Sequence, residues 1–315
     1  MKHNLKITII LFSMFILTQF IGLYVVDHYS GTKVVDGQIT DVNNPDLPFG
    51  LKSPEIKQQT DYRDFFYGIV FAFVIAISIL FLLTKFNAEF ILKLWFFVVV
   101  IIALGISLVA ILPPIQYASI MAIIIALPLA FVKIYKREFL IHNLTELFIY
   151  PGIAAVFVPI LNIYTIVILL ILISAYDMWA VWHSGIMQKM AKYQINKLNI
   201  FGGFFIPYAD KKTKEKIKIL KQKNKDKKKL EAEFKKKKFK INVAILGGGD
   251  VIFPIIASGV VMKTLGFLPA IFVIFGATLG VGYLFLFSQK KKFYPAMPFI
   301  SAGIFIAMIL SYLIF

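Results

Sequence analysis

The sequence predicts an all-α polytopic membrane protein with nine transmembrane helices, and three observations carry that prediction. Hydrophobic residues make up 59% of the 315-residue chain and charged residues only 16%, a balance outside the range of soluble domains. The apolar residues gather into runs close to the roughly 20 residues that a helix needs to cross a bilayer. The charges gather between those runs: residues 184–240 hold 19 lysines against five acids, which leaves +14 of the formal +17 in one segment. A basic charge confined to one loop argues against a nucleic-acid-binding fold. The chain has no cysteine, which excludes disulfides, thiolate nucleophiles and Cys-bound metal.

The first span, 5–26, follows Lys2 and Lys6 and lacks the short apolar core and small-residue cleavage site of a removed signal peptide. Residues 27–64 are polar, with seven acids, four basic residues and Pro45, Pro48 and Pro54, and read as an acidic loop or small cap. Spans two and three, 65–84 and 91–112, are joined by a turn with Lys85, Glu89 and Lys93. Pro113-Pro114 ends the third, because proline offers no amide donor and clashes with the preceding turn. A fourth span at 115–132, a short fifth at 144–161 interrupted by Pro151 and Pro159, and a sixth at 163–183 follow. Residues 211–240 read as a solvated or surface-lying helix with a poly-Lys tract that touches anionic lipid. The last spans are 243–262, 267–287 and 296–315, with Lys290, Lys291 and Lys292 before the ninth.

Basic loops mark the cytoplasmic side. The N-terminus, the turns after spans two and four, the long loop and residues 290–292 all fall on one side and all are basic. The predicted organisation is one integral membrane domain. It comprises residues 1–183 with six helices and an extracytoplasmic loop at 27–64, a cytoplasmic Lys-rich loop at 184–242, and three helices in 243–315. The C-terminus is then extracytoplasmic.

Two acids lie deep in apolar runs. Asp177 follows Tyr176, six residues from the predicted end of span six at His183; Asp250 follows Gly247-Gly248-Gly249, seven residues into span seven at Val243. At about 1.5 Å per residue both sit roughly 9 to 10 Å deep, on the same side. An unpaired Asp near the middle of a bilayer is disfavoured by about 2.5 to 3.5 kcal/mol, so such residues are few and usually functional. If the helices are neighbours, the carboxyls share one proton near neutral pH. One then activates water as a general base while the other donates to a substrate carbonyl, as in aspartic proteases. Three consecutive glycines weaken the helix beside the acid. They serve either tight helix packing or the close approach of a substrate strand.

Tyr176-Asp177 in span six, Gly247-Gly248-Gly249-Asp250 in span seven and Pro295-Ala296-Met297-Pro298 opening span nine resemble the YD, GxGD and PAL motifs of presenilins and signal peptide peptidases. These are nine-span intramembrane aspartyl proteases. The resemblance covers the whole topology and implies that Asp177 and Asp250 are catalytic. Tyr176, Gly247, Gly248 and Gly249 would surround the pair, and Pro295, Ala296 and Met297 would shape the substrate groove. Met297 stands where the family usually has leucine. The implied partners are single-span membrane proteins, and no metal or other cofactor is implied. The N-inside orientation is similar to the presenilin branch, whose substrates keep their N-terminus outside. Residues 199–208, apolar and glycine-interrupted, form either a strand that pairs with an unwound substrate or a segment resting at the membrane interface.

Other chemistries fit less well. His3, His28, His142 and His183 are scattered and no HExxH is present, which disfavours a zinc protease. Ser184 beside His183 lacks the geometry of an activated nucleophile. Glu89, Glu138 and Glu146 sit near basic residues and read as surface ion pairs, and Trp179 and Trp182 read as an interfacial belt. The main alternative function is a proton- or cation-coupled transporter that presents Asp250 in a broken helix. It leaves the Pro295–Pro298 motif without a purpose and expects an internal repeat that the sequence does not display. A prepilin-type peptidase would share only the GxGD element.

Overall fold

The computed structural model describes residues 5–30, 32–35, 38–41, 45–52, 56, 58–86, 88–136, 138–184, 201–208, 242–288 and 294–314. The predicted Lys-rich helix at 211–240, the stretch 187–197 and the triple lysine at 290–292 lie outside these residues. Among the described residues nine helices are long and apolar enough to cross a membrane. They are built on α1 Leu5–Tyr29, α2 Gln59–Lys85, α3 Glu89–Ile111, α4 Ala118–Phe131 continued by a π-turn Val132–Lys136, α5 Phe139–Phe157 continued by a 3-10 turn Val158–Ile160, α6 Ile163–Trp179 continued by a π-turn Ala180–Ser184, α7 Gly248–Leu265, α8 Phe267–Phe287 and α9 Met297–Ile314. Two antiparallel hairpins complete the described structure. β1 Thr32–Val35 pairs with β2 Gln38–Asp41 in the predicted cap, and β3 Gly203–Tyr208 pairs with β4 Asn242–Gly247.

The core is formed mainly by α1, α5, α7, α8 and α9, where Phe15, Ile255, Ile274 and Ile300 are fully buried. Outward faces carry large exposed apolar side chains such as Phe71, Leu140 and Leu279, as expected where lipid rather than water is the solvent. Close helix contacts depend on small residues. A Cβ on Gly276 of α8 would strike the Gly303 carbonyl of α9, and one on Gly280 the Phe299 carbonyl 2.5 Å away. α6 begins where its cap dictates: the Asn162 side chain accepts from Thr165 N at 2.9 Å, while the Thr165 hydroxyl accepts from Asn162 N at 2.8 Å. A π-turn, Ala180–Ser184, continues the helix past Asp177.

Two boundaries differ from the sequence reading. α5 starts at Phe139, five residues before the predicted span. Its first turns carry His142, Asn143, Thr145 and Glu146 turned inward and buried, so an apolar-run criterion passes over them. The seventh helix starts at Gly248, and residues 242–247 form β4 instead of helix. Alternation explains this. Ala244 and Leu246 are buried while Val243 and Ile245 are exposed, a period of two that suits a strand once β3 is there to pair with. The depth estimate for Asp250 changes accordingly, since an extended six-residue strand advances about 3.3 Å per residue and covers about 20 Å.

Candidate active site

Asp177 is buried, 6% exposed, near the end of α6, and α9 begins directly against it. The backbone N–H of Met297 donates to Asp177 Oδ2 at 3.0 Å, and the N–H of Ala296 donates to the same carboxyl. An acid at a helix N-terminus satisfies amides that have no intrahelical partner and meets the positive end of the helix dipole. A second link, Ser174 Oγ to Ser301 Oγ at 2.9 Å, ties α6 to α9 one turn further along. The proline motif therefore reaches the site through its backbone. Pro295, Ala296 and Met297 are themselves buried, so leucine or methionine at position 297 presents the same amide to Asp177.

Asp250 sits in the first turn of α7, half-buried, and its carboxyl accepts the N–H of Gly247. α6 and α7 pack against each other, and the Asp250 and Asp177 carboxyls are close enough to interact electrostatically. The two predicted acids thus lie on neighbouring helices within electrostatic range of each other. Tyr176 does not join them: it is 41% exposed and turns toward α2, where its ring meets Phe73 edge-on at 6.1 Å.

The three glycines have different neighbours. Gly247 ends β4, and a Cβ there would lie 3.2 Å from Asp250 Oδ2. Gly248 packs on Tyr150 of α5, with a Cβ position only 2.8 Å from the phenolic oxygen. Gly249 is exposed and faces nothing nearer than Phe253 of its own helix at 3.7 Å. Tight packing thus accounts for Gly248, while Gly247 leaves room for the neighbouring carboxylate.

Several residues around the site escaped the sequence reading. Gln19 of α1 is fully buried and its Nε2 donates to the Val251 carbonyl at 3.0 Å, pinning the start of α7. Tyr150 is buried, its ring edge-on to Phe204 of β3 at 5.9 Å. Its hydroxyl lies within electrostatic reach of Glu146 and Asp250 without a hydrogen bond of good geometry. Glu146 is not a surface residue. At 1% exposure it accepts from Lys133 Nζ at 2.5 Å, and Lys133 is itself 6% exposed. His142, also buried, contacts both. A polar stripe at 142, 146 and 150, spaced four residues apart on one helical face, was the available signal.

Residues 203–208 do form a strand, but its partner is β4 of the same chain. β3 leads back to the acids: the Gly202 carbonyl accepts from Gly248 N at 3.2 Å, where α7 begins. Among the described residues no group of His, Asp and Glu has a metal-binding arrangement.

Among the described residues, nine helices long and apolar enough to cross a membrane, with two acids within electrostatic reach of each other, fit an aspartyl protease of the membrane class. The signature of the family described as signal-peptide peptidase, presenilin aspartyl protease matches residues 48–315, and the chain belongs to that family. It is an intramembrane aspartic endopeptidase. Two solved structures of a presenilin family intramembrane aspartate protease share the fold. The one in space group C222 has a TM-score of 0.59 at 16% identity, with 98% of this chain and 99% of the other covered. The one in space group P2 has a TM-score of 0.57 at 18% identity, with 97% of each covered. No curated protein matches the chain.

Proposed function

We propose that Asp177 and Asp250 are the catalytic pair and hydrolyse a peptide bond within the transmembrane helix of a substrate protein. The observation that carries this reading is that the two carboxyls lie within electrostatic range of each other, with Asp177 held by the amides that open α9 and Asp250 by the amide that ends β4. Two carboxyls that face each other closely hold one proton between them near neutral pH. The ionised member takes a proton from water as the oxygen attacks the scissile carbonyl, and the protonated member donates to the carbonyl oxygen. The tetrahedral diol then collapses: the C–N bond breaks, the amine leaves with a proton, and a new carboxyl terminus remains.

A helical substrate hides its peptide groups in its own hydrogen bonds and must unwind to be cut. The open edge of β4 suits an unwound chain. Gly203 and Phe205 of β3 turn their backbone groups toward α5, so Phe204 and Ile206 face β4; by register, Val243 and Ile245 present theirs on the far side. A substrate strand added there runs toward Asp250. In the proposed orientation the N-terminus and the Lys-rich segment are cytoplasmic, the latter against anionic lipid, and the substrates are single-span proteins with their N-terminus outside.

The test is cleavage of a single-span reporter by the detergent-purified chain. Products ending within the reporter's span are expected from the parent and from neither Asp177→Ala nor Asp250→Ala. Cleavage by both variants at the parent rate removes the assignment.

A further inference from the structure

The buried polar group at the start of α5 has no role in the chemistry above, and its hydrogen bonds point in one direction. Asn143 behaves toward β3 as a neighbouring strand would: its Nδ2 donates to the Phe205 carbonyl at 3.0 Å and its Oδ1 accepts from Phe205 N at 3.1 Å. Two residues along β3, His142 Nε2 lies 2.9 Å from the Gly203 carbonyl and Glu146 Oε1 accepts from Gly203 N at 3.4 Å. A carbonyl only accepts, so the His142 proton is on Nε2, which leaves Nδ1 to accept from Lys133 Nζ at 3.3 Å. Lys133 in turn neutralises Glu146. All four residues are 6% exposed or less. Burying a charge pair and an amide is unfavourable unless their polar atoms are satisfied. Here they are satisfied largely by the backbone of β3.

We propose that Lys133, His142, Asn143 and Glu146 form a strand-holding cradle and act as positioning residues for substrate. The inference rests on the reading of Asp177 and Asp250 as the catalytic pair. The cradle occupies the outer edge of β3 while β4 occupies the inner one, so β3 has no edge left to offer. The edge that remains is that of β4, three residues before Asp250. Pro207 agrees with this geometry: its partner in the register is Val243, so it is turned away from β4, where a missing amide costs the ladder nothing. The cradle thus fixes where a substrate strand meets the acids, and its loss weakens docking more than it slows the bond-breaking step.

The experiment measures KM and kcat for a single-span reporter with the full-length chain in detergent, alongside thermal unfolding. Asn143→Leu keeps the side-chain volume and removes both bonds to Phe205; it is expected to raise KM about tenfold with kcat within about threefold of the parent, as loss of uniform binding does. The double variant Lys133→Met/Glu146→Leu removes the charges together, which leaves no uncompensated buried charge, and with them the acceptor for Gly203 N; it is expected to raise KM about tenfold as well, with kcat within about threefold of the parent. Parental KM in Asn143→Leu overturns the proposal. So does a loss of kcat that tracks unfolding while KM stays put, which is the signature of a purely structural part. If Asn143→Leu does not fold, parental KM in the double variant overturns it as well. Failure of the underlying reading is visible separately, as cleavage by Asp177→Asn or Asp250→Asn at the parent rate.

Discussion

Replacing Gly248 by alanine places a methyl group 2.8 Å from the Tyr150 hydroxyl oxygen and 2.9 Å from its Cε1. Ordinary contact needs about 3.5 Å, so something moves by about 0.7 Å. Tyr150 has little room to yield, being 5% exposed with its ring against Phe204. The first turn of α7 moves instead, and it carries Asp250 two residues further on. Overpacking of this kind costs about 1 to 3 kcal/mol of stability. Misplacing a catalytic group by an ångström costs about 100-fold in rate, so a loss of roughly 10- to 100-fold in kcat is expected. Gly249→Ala is the control: its methyl group meets only Phe253 at 3.7 Å. It also relieves the helix of a glycine, a gain of up to about 1 kcal/mol. Reporter cleavage by the two purified variants, with melting curves, decides the matter. If Gly249→Ala loses as much activity as Gly248→Ala, or Gly248→Ala cleaves like the parent, the packing account of the glycines is wrong.

Met297→Leu is expected to cleave within about twofold of the parent, because position 297 holds Asp177 through its backbone amide. Met297→Pro removes that amide at a helix position where proline is tolerated, and the loss of a bond to a charged group, about 1.5 to 3 kcal/mol, predicts a fall of about 10- to 100-fold in kcat/KM. At the far end of α7, Lys263 is buried and donates to the carbonyls of Val158, Pro159 and Leu161 at 3.3, 3.2 and 2.9 Å. Lys263→Met should lower stability in denaturant or heat by about 2 kcal/mol while leaving kcat within about twofold. Tyr150→Phe keeps the ring contact with Phe204 and deletes a hydroxyl that lacks a well-formed hydrogen bond. Its unfolding free energy should therefore stay within about 1 kcal/mol of the parent's.

The nine spans were legible because lipid imposes a simple rule: about 20 apolar residues per helix, with charges outside. The paired acids were legible for the same reason, since Asp177 and Asp250 stand out where charges are excluded. The rule hides whatever is polar yet turned inward. His142 and Asn143 fell outside the predicted span and Glu146 read as a surface ion pair, because hydropathy cannot tell a side chain facing water from one facing a buried strand. Residues 243–247 read as helix because a short apolar run suits either state. Only pairing with residues 203–208, across a long intervening segment, selects the strand. Gln19 gave no local signal at all, since its partner, the Val251 carbonyl, lies 232 residues away in sequence.

The central claim is that Asp177 and Asp250 work as one unit, and reporter cleavage by Asp177→Asn, Asp250→Asn and the double variant tests it most directly. Groups that act together are non-additive, so each single variant is predicted to fall to the residual rate of the double. A single variant that retains a substantial fraction of the parent rate, or two losses that multiply in the double, would contradict the account.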